Sequence, residues 1–217
     1  MADISMLRVE RVRPVVPPEG LRALPSVELN KRNEAMLKAA AAGSLGSPMW
    51  RARKYAEARE ILALSQIADR FRIFEIRMHT DLLAVAELHV PVPCLEGPDR
   101  PLQVAPKALV GLKYAEAVLS EAVPGTAFVQ VLAPMGVWHA NVARGFGQPV
   151  CLGPAMPLGI PLREIVILTY GALSMQTVQL DPSDAAGVLN AEAAQYWQVN
   201  HDRIPLTRAA FLSAAEG

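Results

Sequence analysis

The first strong pattern along the chain is amphipathic and covers residues 50–71. Apolar residues recur there at intervals of three and four, as on one face of a helix, and charged residues fill the other positions. The apolar positions are Tyr55, Ala58, Ile61, Leu62, Leu64 and Ala68. The pattern predicts a surface helix that packs on a sheet and turns Arg51, Arg53 and Lys54 toward solvent.

Four segments with the character of β-strands follow this helix. They are residues 72–79, 82–90, 108–114 and 127–132. The first alternates strictly between apolar and polar residues, the second does so more loosely, and Pro91 and Pro93 then end it. Because the connections before Pro91 and after Gly125 are short, the expected sheet is an antiparallel meander.

The chain after Pro134 has no clear periodicity for roughly 25 residues, a length that in a compact domain usually marks a functional loop. Glycine and proline are frequent there, but low polarity argues against disorder. Two helices are predicted to follow. One starts at Pro161 and runs to about residue 175, and the other starts after the N-cap Asn190 and runs to about residue 200. The predicted fold class is α+β, with helices segregated from an antiparallel sheet.

Residues 1–48 are predicted to be an N-terminal extension to a domain at 49–217. Prolines break up its first half, and residues 33–42 have the composition of a short helix. Residues 43–48 are rich in Gly and Ser and predict a flexible joint.

Composition excludes several classes of protein. Lys and Arg together number 21, as do Asp and Glu, so there is no basic excess of the kind that is typical of nucleic-acid binders. The N-terminus has no secretory signal and no apolar run is long enough to span a membrane, so a cytoplasmic protein is expected. Cys94 and Cys151 form no metal-ligand cluster with the four histidines. The Gly145-Phe146-Gly147 sequence lacks a third glycine, and no ATP site, other cofactor or metal is expected.

The long loop contains the most specific sequence of the chain. It reads Trp138-His139-Ala140-Asn141-Val142-Ala143-Arg144-Gly145-Phe146-Gly147-Gln148-Pro149-Val150-Cys151-Leu152-Gly153. It resembles the active-site stretch of ubiquitin-conjugating enzymes, in which a His-Pro-Asn triplet precedes a Cys-Leu pair. His139 and Asn141 match the ends of the triplet, and Cys151 matches the nucleophile. Residues 180–196, with a Pro/Asp turn and an Asn-capped helix, are similar to the family's penultimate helix and the loop before it.

The chain also departs from the family pattern. Ala140 replaces the middle proline, the Asn141-to-Cys151 spacing is slightly long, and the tryptophan that follows the cysteine is missing. The differences suggest a distant branch of the family, similar to the conjugating-enzyme-like proteins of bacterial ubiquitin-like operons. The expected fold has an N-terminal helix, a four-stranded meander, the active-site loop and C-terminal helices.

The resemblance implies a chemistry for each matched residue. Cys151 would carry a ubiquitin-like protein as a thioester, received from an activating enzyme, and pass it to a lysine of a target protein. Asn141 would stabilise the oxyanion or hold the loop. His139 is expected to bond the loop backbone rather than act as a base, and Asp184, or else Asp181, would orient the attacking lysine. The helix face with Arg51, Arg53 and Lys54 would help to bind the activating enzyme.

Two other functions stay open from the sequence. One is a non-catalytic module that docks ubiquitin-like proteins, although such relatives lack the cysteine. The other is a cysteine hydrolase that uses Cys151 and His139. Many thiol hydrolases place the cysteine at a helix N-terminus, whereas Cys151 is expected in a loop well before Pro161. Cys94 is expected to be a small buried hydrophobe.

Overall fold

The computed structural model describes residues 27–95, 101–181, 183 and 187–212. The helices are α1 (Lys31–Ala42), α2 (Pro48–Ile67), α3 (Leu162–Leu173) and α4 (Ala191–Val199), and the strands are β1 (Phe71–Met78), β2 (Leu82–Leu88), β3 (Val92–Cys94), β4 (Gln103–Ala105), β5 (Ala108–Tyr114) and β6 (Val129–Ala133). Short 3-10 turns lie at Glu116–Leu119, Gly125–Ala127 and His201–Arg203. The predicted α+β class is confirmed.

The main sheet has four antiparallel strands in the order β1-β2-β5-β6. It is the predicted meander, with strand bounds close to the predicted ones because each strand is long enough to show its alternation. Every second residue of β2 and β5 is buried, including Leu82, Ala86 and Val110. One face of the sheet therefore lies on the core.

Helices α2 and α3 cover that buried face. Trp50 and Ile61 of α2 and Ile165 of α3 are fully buried in the same cluster as the sheet residues. Ser47 caps α2 by accepting a hydrogen bond from the backbone N–H of Trp50 at 3.1 Å, and Pro48 occupies its first turn. The core forms between α2, α3 and the sheet.

Helix α1 lies inside the predicted extension and packs against this same core. Leu37 belongs to the main hydrophobic cluster, and Asn33 donates a hydrogen bond to the Leu62 carbonyl of α2 at 3.2 Å. Asn30 caps α1 by accepting from the Asn33 N–H. Residues 1–26 of the predicted extension lie outside the described residues.

Lys54 is not on the solvent-exposed face where the sequence pattern placed it. It is fully buried, and its ammonium group donates to the carbonyls of Leu45, His79 and Thr80. These carbonyls come from the joint before α2 and from the β1–β2 turn. A long side chain can thus reach beyond its own helix and bury its charge against backbone oxygens, which compensate for the lost hydration.

The small β3–β4 hairpin was not predicted. Cys94 of β3 pairs with Gln103 of β4 and forms an isolated bridge with Val137, which precedes the loop sequence. Three-residue strands are too short for alternation to be visible, and the prolines at 91 and 93 indicated an end of regular structure. No helix among the described residues is long and apolar enough to cross a membrane.

Candidate active site

The irregular residues 134–161 between β6 and α3, here called the site loop, begin as an extension of the sheet beyond β6. The Val131 N–H donates to the Gln148 carbonyl at 3.0 Å, and the Val150 N–H donates to the Val129 carbonyl at 2.9 Å. Val150 in turn bridges to Val142. Residues 142–150 thus form a hairpin whose return limb pairs with the edge of β6, and this pairing fixes where the chain delivers Cys151.

Cys151 follows directly on the return limb and is joined to Asn141. Its backbone N–H donates to the Asn141 carbonyl at 2.7 Å. The residue is 3% exposed, and its thiol lies 3.8 Å from the Gly153 carbonyl oxygen. The two residues that the sequence matched to nucleophile and asparagine are therefore direct backbone partners, although ten positions separate them in the chain.

Gly125 supports the turn after the cysteine from the other side. Its N–H donates to the Gly153 carbonyl at 3.1 Å, and a Cβ at this position would lie 2.5 Å from that oxygen. Only glycine permits this approach. The segment before β6 and the turn after Cys151 therefore pack backbone against backbone.

The side chain of Asn141 is engaged at both of its polar atoms. Its Nδ2 donates to the Gly187 carbonyl at 3.0 Å, and its Oδ1 accepts from the Gln179 N–H at 3.3 Å. Next to it, the Ala140 carbonyl accepts from the N–H groups of Leu189 and Asn190. These hydrogen bonds join the 139–141 segment to the loop that leads into α4. That loop belongs to residues 180–196, the second stretch in which the sequence resembles ubiquitin-conjugating enzymes.

His139 lies at the base of the loop and is fully buried. Its Nε2 donates to the Ala172 carbonyl of α3 at 2.9 Å, and its Nδ1 accepts from the Asn141 N–H at 3.0 Å. Burial lowers the pKa of His139 to about 4, against a smaller opposing effect of the Ala172 carbonyl. The imidazole is neutral at physiological pH and both nitrogens are engaged, so it is placed to hold the loop.

Gln148 is a site residue that sequence reasoning missed. It is buried in a left-handed conformation with φ of 38°. Its side chain donates to the carbonyls of Val131 and Pro134 and accepts from the Val137 N–H at 2.9 Å. A glutamine between Gly147 and Pro149 resembles an ordinary loop residue, and no local pattern signals that its amide satisfies a neighbouring turn.

The two predicted acidic residues are placed differently. Asp184 lies outside the described residues. Asp181 is exposed, and its carboxylate accepts from the Ser183 hydroxyl at 2.7 Å and the Ser183 N–H at 2.9 Å. These hydrogen bonds, that of the hydroxyl first, lower the pKa of Asp181. Asp181 is therefore ionised at neutral pH and held in a local turn with Ser183.

The predicted basic face of α2 is reduced to one residue, Arg51, which stays exposed. Lys54 is buried, and Arg53 pairs with Glu57 at 2.7 Å and donates to the Gly159 carbonyl at 2.8 Å. Glu57 also accepts from the Leu162 N–H at 2.6 Å. This Arg53–Glu57 pair links α2 to the end of the site loop and the first turn of α3.

Comparison with known proteins adds no relative. No family model matches the chain, and no curated protein or solved structure matches it. Among the described residues, no group of three or more His, Cys, Asp or Glu side chains has an arrangement that could hold a metal ion. The function of the site therefore has to be inferred from its own residues.

Proposed function

We propose that this protein carries a ubiquitin-like protein as a thioester on Cys151, as ubiquitin-conjugating enzymes do. The observation that carries the proposal is the hydrogen bond from the Cys151 N–H to the Asn141 carbonyl, in a loop that extends the sheet edge. The order of helix α2, a four-stranded meander, the loop and two further helices supports it. That the chain belongs to the ubiquitin-conjugating enzyme family is part of the same proposal.

The proposed reaction consists of two acyl transfers. The thiolate of Cys151 attacks the thioester carbonyl of the loaded activating enzyme, a new C–S bond forms, the old C–S bond breaks, and the enzyme's cysteine leaves as a thiolate. A lysine amine of the target then attacks the same carbonyl, forms an amide after losing a proton, and releases Cys151 as a thiol. ATP is consumed by the activating enzyme, so this chain needs no nucleotide. A thioester donor is already reactive, and no strong base beside Cys151 is required.

Asn141 and His139 act as positioning residues in this proposal. The Asn141 amide holds residues 179 and 187, and it has to release the Gly187 carbonyl before it donates to an oxyanion. His139 ties the loop to α3. Asp184 or Asp181 would orient the incoming lysine, and Arg51 is the residue of the α2 basic group with which the activating enzyme would make contact.

A charging assay tests the proposal. The protein is mixed with candidate ubiquitin-like proteins, their activating enzyme and ATP, and run on a non-reducing gel. We expect a band shift that reductant abolishes, that Cys151→Ala lacks and that Cys94→Ala keeps. Cys94 is the matched control because it is also a buried cysteine, and its thiol donates to the Val92 carbonyl at 3.3 Å. Loss of the band in Cys94→Ala but not in Cys151→Ala would contradict the assignment.

The burial of Cys151 favours a second candidate function, a module that docks ubiquitin-like proteins without carrying them. A cysteine that is 3% exposed reacts only when its surroundings move, and a docking module needs no such movement. Full activity of Cys151→Ala in the native cells would support this candidate. A hydrolase with His139 as its base has no comparable support, because both imidazole nitrogens are bound to backbone groups.

A further inference from the structure

Phe146 at the tip of the 142–150 hairpin is completely exposed. Its relative exposure is 103%, the highest of the large apolar residues described. Gly145 and Gly147 flank it with φ of 98° and 79°, and they provide the left-handed conformations of the tip. The ring is thus held out in solvent by a glycine-flanked turn, with none of its surface buried by the described chain.

Both limbs of the hairpin that carries the ring make contacts with neighbouring elements. On the outgoing limb, Arg144 pairs with Glu192 of α4 at 2.6 Å and lies over the Trp138 ring, 5.5 Å from its centroid. On the return limb, the buried side chain of Gln148 binds the turn after β6. A hairpin whose limbs are already anchored loses less backbone entropy when its tip is bound, and exposed aromatic side chains are frequent anchors in protein interfaces.

The tip lies close to Cys151 along the chain, within reach of a protein attached there. Phe146 precedes Cys151 by about five positions, and five extended residues span at most roughly 18 Å. A small protein domain is about 30 Å across. A protein tethered to Cys151 therefore has a surface large enough to reach the tip. Tethering also makes the contact intramolecular, with an effective concentration in the millimolar range for a short linker, so one apolar contact is enough to be populated.

We propose that Phe146 is an anchor for the ubiquitin-like protein held on Cys151 and inserts into an apolar depression on that protein's surface. The inference rests on the proposed function and adds the surface that recognises the cargo. The exchange replaces one thioester by another, so the covalent step itself favours neither side strongly. A contact that forms only when Cys151 carries the ubiquitin-like protein therefore shifts the equilibrium from the activating enzyme toward this chain.

Site-specific photo-crosslinking in the native cells tests this contact. A photoreactive p-benzoylphenylalanine replaces Phe146 in the full chain, or replaces Val199 as the control, since Val199 is also largely exposed but lies at the end of α4. After irradiation, reductant cleaves any thioester. The wild type should carry one protein as a reductant-sensitive adduct. We expect that same protein to stay crosslinked to the variant with the photoreactive residue at 146, but not to the variant with it at 199. The crosslink at 146 should disappear when Cys151→Ala is added.

A second variant measures the strength of the contact. Phe146→Ala is expected to lower the amount of adduct about tenfold relative to Val199→Ala, as truncation of an interface anchor does. Its thermal midpoint should stay unchanged because the ring is not buried. If the adduct forms but residue 146 crosslinks to a second copy of the chain, to a different protein or to nothing, the inference is wrong and the carrier function stands. If the wild type carries no adduct, both fail.

Discussion

His139 illustrates at the residue scale how the loop is held. A neutral imidazole in the Nε2–H form satisfies one carbonyl of α3 and one N–H of the loop. Protonation would place a charge in a fully buried position and remove the acceptor that the Asn141 N–H uses. The loop geometry should therefore depend on the protonation state of this residue.

This dependence predicts a loss of stability in mild acid. The pKa of His139 is about 4 in the folded protein and near 6.5 when unfolded. The unfolded chain binds the proton more tightly, so the stabilising contribution is full above pH 6.5 and is lost as the pH falls toward 4. Between about pH 7.5 and 5 the free energy of unfolding should fall by about 2 kcal/mol through this group, as measured by urea denaturation.

The matched comparison uses two histidine variants. His139→Gln should lose this part of the pH dependence, whereas His201→Gln should retain it, because His201 is exposed in the turn after α4. Equal pH dependence of the wild type and His139→Gln would contradict the role given to the imidazole.

At this scale the sequence was informative about some residues only. The lack of periodicity after Pro134 predicted one loop that contains His139, Asn141 and Cys151, and the structure joins Asn141 to both of the others. The burial of Lys54 and the role of Gln148 were not predictable. Each depends on backbone carbonyls from other parts of the chain, and local sequence periodicity does not predict such contacts.

At the scale of elements, Glu57 joins α2 to the start of α3. Helix α3 has no side-chain N-cap of its own, and the Glu57 carboxylate accepts the Leu162 N–H instead. Burial raises the pKa of Glu57, which opposes the favourable hydrogen bond and the Arg53 charge. The carboxylate thus caps the first turn of α3 and pairs with Arg53, which in turn donates to the end of the site loop at Gly159.

Substitution of Glu57 should separate these effects. Glu57→Ala leaves the buried Leu162 N–H without an acceptor and removes the ion pair of Arg53, and we expect a loss of about 2–3 kcal/mol in the free energy of unfolding. Glu57→Gln should cost less than about 1 kcal/mol, since the amide oxygen still accepts and no charge is buried. Thermal and urea unfolding measure both values.

Glu60 is the control for this pair. It lies about one turn of α2 away, its side chain is 44% exposed, and it pairs with Arg163 at 3.7 Å. Glu60→Ala should change stability by less than about 0.5 kcal/mol. A larger effect of Glu60→Ala than of Glu57→Ala would show that the buried carboxylate is not what holds α3.

Element prediction succeeded where the periodic segments were long. Strand β5 was predicted with the observed bounds, and α3 and α4 were predicted within two residues of their observed ends. The 142–150 hairpin and the β3–β4 pair were missed because their pairing is made by short segments with irregular backbone. The hairpin pairs with the edge of β6, whereas β3 and β4 pair with each other in a separate two-stranded sheet, and local alternation signals neither pairing.

On the scale of the whole molecule, the sheet edge and the two C-terminal helices meet around the site loop. The hairpin extends β6, the loop before α4 binds the 139–141 segment, and Glu57 fixes the start of α3. The proposed carrier function requires that the Cys151 thiol, which is 3% exposed here, becomes accessible when a partner binds. The proposed function then predicts a covalent adduct at Cys151 in cells, in spite of the low exposure of that residue in the free protein.

The most direct test of that expectation is an oxyester trap. Cys151→Ser is expressed in the native cells, purified with reductant present, and its intact mass is measured. We predict a reductant-resistant adduct of one ubiquitin-like protein on this variant, and no such adduct on Cys151→Ala or on Cys94→Ser. No adduct on a correctly folded Cys151→Ser protein, or an adduct that also forms on Cys151→Ala, would contradict the proposed carrier function.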